Sequence, residues 1–72
     1  MWELRERVKR LLEKTGTTQA ELCREISHRF DYRIYPSEMS NALSGSLESP
    51  KANRIIADAY SLLERKQEKQ AK

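Results

Sequence analysis

Apolar residues recur at helical spacing in separate stretches of the chain. Leu4, Val8, Leu11 and Leu12 make one stripe over residues 2–14, with Arg, Glu and Lys opposite. Gly16 follows, at a point where a helix can close through a left-handed turn. Leu22, Cys23, Ile26 and Phe30 mark a second helix over residues 19–30. Thr18 and Glu21 open it with the spacing of a capping box, in which the hydroxyl and the carboxylate each accept from the other residue's amide. Met39, Ala42 and Leu43 are the inner positions of a third helix over residues 36–44, and Ser37, Ser40, Asn41 and Ser44 its outer ones. Pro36 suits the first helical position, Glu38 complements the helix dipole, and Gly45 closes the helix. Ser49 and Pro50 are a cap and a first residue for a fourth helix to about Glu64. Its apolar positions are Ala52, Ile55, Ile56, Ala59, Leu62 and Leu63.

Residues 31–35 break this pattern. They are rich in aromatic and β-branched types, and Tyr35 precedes a proline, which disfavours helical geometry. A short extended connection is predicted there. Residues 65–72 have no apolar face and read as a charged tail that extends the last helix or frays. The expectation is an all-α domain over residues 1–64 with a tail over 65–72.

Composition narrows the function. A chain of 72 residues holds one domain, and a core of that size buries only about 60% of the unfolded surface. Cys23 is the sole cysteine, so no internal disulfide forms, and Cys23 with His28 cannot build a structural zinc site. A lone thiol suits a reducing compartment. The start of the chain is charged from its third residue, unlike a signal peptide, and no apolar run approaches the ~18 residues of a membrane span. A cytoplasmic protein is expected. Fourteen basic residues against 11 acidic ones give a net charge of +3 and a pI near 9.2, within the range of nucleic-acid binders, although interspersed signs also suit a plain solvated surface. With two glycines, no phosphate-binding glycine loop, no paired carboxylates and no H-E-x-x-H run, neither an enzyme nor a cofactor is expected.

Several runs taken together carry a family resemblance. They are Thr18-Gln19-Ala20-Glu21-Leu22-Cys23, then Tyr35-Pro36-Ser37-Glu38-Met39-Ser40-Asn41-Ala42-Leu43-Ser44-Gly45, then Ser49-Pro50-Lys51. The chain resembles the phage-repressor family, the Cro/CI-type or Xre-type helix-turn-helix proteins, over roughly residues 4–63. The resemblance implies a four-helix, lambda-repressor-like domain that acts as a transcription regulator. Helix 3 would lie in the major groove of operator DNA, with helix 2 across the backbone. It puts base-facing roles on Tyr35, Pro36, Ser37, Ser40, Asn41 and Ser44, and phosphate contacts on Gln19 and Lys51. Asn41 has the donor and acceptor that adenine presents in pairs. The resemblance further implies a homodimer on two half-sites.

The chain departs from the family pattern in two ways. The turn glycine falls near Ser27, and about six further residues precede Tyr35. Arg29 and Arg33 in that insertion are placed to reach a DNA backbone. Helix 3 carries no Lys or Arg, so affinity would come from flanking cations and fall steeply with salt. The alternative is a protein-interaction module on the same scaffold, antirepressor-like or antitoxin-like. It would present a neutral or apolar face with Trp2, Tyr32 and Tyr35 exposed.

Overall fold

The structure is a computed structural model that describes residues 2–46 and 49–70. Four helices follow one another: α1 (Trp2–Thr15), α2 (Gln19–Phe30), α3 (Pro36–Ser44) and α4 (Pro50–Gln70). No strand occurs among the described residues. The side chain of Trp2, and Leu47 and Glu48 of the expected loop before α4, lie outside the described residues.

Each helix start follows from a local signal. The Thr18 hydroxyl accepts from the Glu21 amide at 3.1 Å, so one half of the expected capping box is formed. At α3 the reverse half operates: the Tyr35 amide donates to Glu38 Oε1 at 3.0 Å, with Pro36 in the first turn. Ser49 Oγ accepts from the Ala52 amide at 3.1 Å and opens α4. Gly16 and Gly45 both take positive φ, 66° and 80°, as helix-ending residues do. Asp31 does the same for α2 at φ 56°, a conformation that Asp tolerates better than most side chains.

The apolar stripes meet in one core. Val8, Leu22, Ile26, Met39, Ile55, Ile56 and Leu63 are its fully buried large side chains. Helix α1 lies along α4, while α3 is seated against all three other helices. The Cα radius of gyration, 11.2 Å, equals the ~11 Å expected of a compact chain this long. Helix α4 continues to Gln70, beyond the expected end near Glu64. The reason is tertiary. Lys66 lies half-buried, paired with Glu25 of α2 at 2.8 Å and within 3.4 Å of the Thr17 hydroxyl. These bonds reward a helical turn that has no apolar face of its own.

The inner end of α3 is held by a charge. Arg5 is only 6% exposed, and its Nε donates to the Ala42 carbonyl at 2.8 Å. A cation at a helix C-terminus meets the negative end of the dipole and satisfies a carbonyl that the ladder leaves open. The guanidinium fits because residue 45 has no side chain: a Cβ there would stand 2.8 Å from Arg5 Nη1.

Candidate nucleic-acid interface

Helix α3 divides cleanly. Met39, Ala42 and Leu43 are buried, and Ser37, Ser40, Asn41 and Ser44 are exposed. Successive inner and outer positions fall on opposite sides because the helix turns by about 100° per residue. Tyr35 and Pro36, just before and at the first turn, are exposed as well. All the expected base-facing residues are therefore exposed, and Ser37, Ser40, Asn41 and Ser44 form the uncharged polar side of α3.

Hydrogen bonds set the far end of that surface. Ser46 Oγ can donate to Asn41 Oδ1 at 3.3 Å and Ser44 Oγ to the Asn41 backbone carbonyl at 3.2 Å, and the two hydroxyl oxygens lie 2.9 Å apart. With Oδ1 oriented by Ser46, the Asn41 amide nitrogen keeps its two protons for an outside acceptor.

Gln19, at the start of α2, lines a groove with Ser40 and Ser44, so it borders the α3 stripe. Lys51 is engaged: its Nζ lies 2.7 Å from Glu38 Oε2. That ion pair, and next the bond from the Tyr35 amide, hold the Glu38 carboxyl below its ordinary pKa of 4.5. A pKa lowered by folding stabilises the fold above the unfolded value and loses that effect as pH falls through the folded value. The melting temperature of the protein should therefore exceed that of Glu38→Gln at neutral pH. The gap should begin to narrow in acid below about pH 4.5 and close as pH falls through the lowered folded value. A gap independent of pH would show that the carboxylate charge contributes nothing.

Arg29 and Arg33 do not come together. Arg33 borders a shallow groove of about 620 Å³ that is also lined by Tyr35 and Pro36, at the start of α3. Arg29 faces a different groove, with Arg65 and Lys69 near the end of α4. The cation that does join Arg33 is Arg24, on the outer side of α2. Arg24 and Arg29 are five positions apart, which turns their side chains about 140° apart around the helix axis. Sequence reading missed Arg24. The available signal was the recurrence of Ala20, Arg24, Ser27 and Asp31 along one side of α2, a face without a large apolar residue.

Tyr32 is not a free aromatic. Its hydroxyl donates to Asp58 Oδ2 at 2.8 Å, and burial together with that carboxylate pushes the phenol well above its usual pKa. Among the described residues Tyr35, at 54% exposure, is the exposed large hydrophobic side chain. Burial likewise pushes the Cys23 thiol up, away from the reactive thiolate form. No group of three or more His, Cys, Asp and Glu among the described residues could hold a metal ion. Nor is any helix among them long and apolar enough to cross a membrane.

Comparison with protein-family models, with curated proteins and with solved structures finds no match to this chain.

Proposed function

We propose that the protein is a sequence-specific, DNA-binding transcription regulator, probing the major groove with α3 in a helix-turn-helix formed with α2, as the phage-repressor resemblance implies. The observation that carries this reading is the outer side of α3. It is polar, uncharged and solvent-facing along its whole length, while its inner side is locked in the core. The acidic residue of α3, Glu38, is neutralised by Lys51 and does not repel a phosphate backbone. Serines bond several base edges, so Asn41 carries most of the discrimination through a paired contact to adenine. Gln19 and the free amides at the start of α2 bind the backbone alongside. A homodimer on two half-sites about one helical turn apart completes the proposal. The protein-interaction reading gains less support, because Tyr32 is tied down and leaves Tyr35 as the exposed aromatic among the described residues.

Selection from random duplex DNA at two salt concentrations tests the proposal. A motif should be enriched, and affinity for it should fall with salt. Asn41→Ala should weaken binding to that motif by about 1–3 kcal/mol and relax preference at an adenine position. Enrichment of no motif by the wild-type chain would end the regulator reading.

A further inference from the structure

We propose that the groove between α2 and the segment 31–35 is a phosphodiester-binding site, with Arg24 and Arg33 as its cations. On this view the segment is a rigid bracket that grips the DNA strand bordering the groove read by α3. The inference rests on the DNA-binding reading above and adds a site to it.

An extended backbone sends alternate side chains to opposite sides. Residues 32–35 follow that rule: Tyr32 and Ile34 turn toward the globule, and Arg33 and Tyr35 are exposed. The inner side is anchored independently at several points. Ile34 is buried, and its amide donates to Ser27 Oγ at 3.2 Å. Tyr32 is tethered to Asp58 at 2.8 Å. The Arg54 guanidinium sits 4.2 Å from the centroid of the Tyr32 ring, with its Nε 3.6 Å from Asp58 Oδ2. A segment held this way needs no ordering when it binds, which removes a cost that a mobile loop would carry.

The outer side supplies the ligand-binding groups. Arg33 and Arg24 line one groove with Tyr35 and Pro36. Neither arginine has an ion-pair partner among the described residues, and both are exposed. Asp31 also borders the groove, so its two guanidinium charges exceed its acid by one, which matches a singly charged diester. Guanidinium forks fit phosphate oxygens better than an ammonium does. Tyr35 and Pro36, at the start of α3, line the same groove, so the groove adjoins the first turn of α3. This places positive charge beside a recognition helix that has none of its own.

The test uses the full chain and a mixed-sequence duplex a little over two helical turns long, titrated by fluorescence anisotropy at several KCl concentrations. Arg24→Gln with Arg33→Gln should reduce the slope of log K against log salt by about 1–2. The base preference found by selection should stay the same, since phosphate contacts carry no sequence information. Arg24→Lys with Arg33→Lys should keep most of the slope, which separates loss of charge from loss of fold. Arg29→Gln with Arg65→Gln, in the other groove, should leave the slope near that of the wild type. An unchanged slope for Arg24→Gln with Arg33→Gln overturns the site, as does an equal loss for the Arg29 and Arg65 pair. If the wild type enriches a motif while that first variant keeps its slope, this inference alone falls. If the wild type binds no duplex, the regulator reading falls with it.

Discussion

Leu22→Ala should lower the unfolding free energy by about 3–4 kcal/mol in a urea titration, the middle of the range for emptying a fully packed leucine site. Leu22 has no exposed surface and shares the core with Ile26, Met39 and Leu63. The effect is large relative to the whole. A domain of this size has about 4–11 kcal/mol in all, and this one has no disulfide to limit its unfolded state. The transition midpoint should shift strongly. A loss under about 1 kcal/mol would mean that α2 is not packed as described.

Gly45→Ala should cost about 2–3 kcal/mol, in two parts. A side chain at φ 80° carries a backbone penalty of about 1–2 kcal/mol. The remainder comes from displacing Arg5, whose Nη1 would lie 2.8 Å from the new Cβ. Arg5→Ala alone removes a charge-assisted bond to the Ala42 carbonyl, an effect of about 1.5–3 kcal/mol. The double variant should lose less than the two single losses combined, with a coupling of about 1 kcal/mol, because the displacement part vanishes once Arg5 is gone. Strict additivity in equilibrium unfolding would refute the contact. Urea melts of the wild type and the three variants suffice.

The fold was legible where local chemistry decides it. Thr18, Pro36, Ser49 and Pro50 mark helix starts, Gly16 and Gly45 mark ends, and the apolar stripes name nearly every core residue. The extended conformation of Tyr35 followed from the proline rule, whereas Asp31, expected to be extended too, takes the left-handed conformation and caps α2. Contacts between distant residues were not legible. Arg5 sits on the flank of the α1 stripe, and nothing local says that a carbonyl of α3 waits for it. The tether from Tyr32 to Asp58 spans 26 residues of sequence. The last turns of α4 depend on Lys66 meeting Glu25, a pairing that exists only once the helices are packed. Likewise, Arg24 joins the candidate site because the segment after α2 folds back beside it.

Ser37 and Ser40 stand on the solvent side of a helix whose hold on the protein comes entirely from its other side. Substitutions at such positions typically change stability by less than about 0.5 kcal/mol. The scaffold is therefore indifferent to what those two positions carry. If α3 reads DNA as proposed, a new target preference can be written there, one side chain at a time, with the rest of the molecule left as it is.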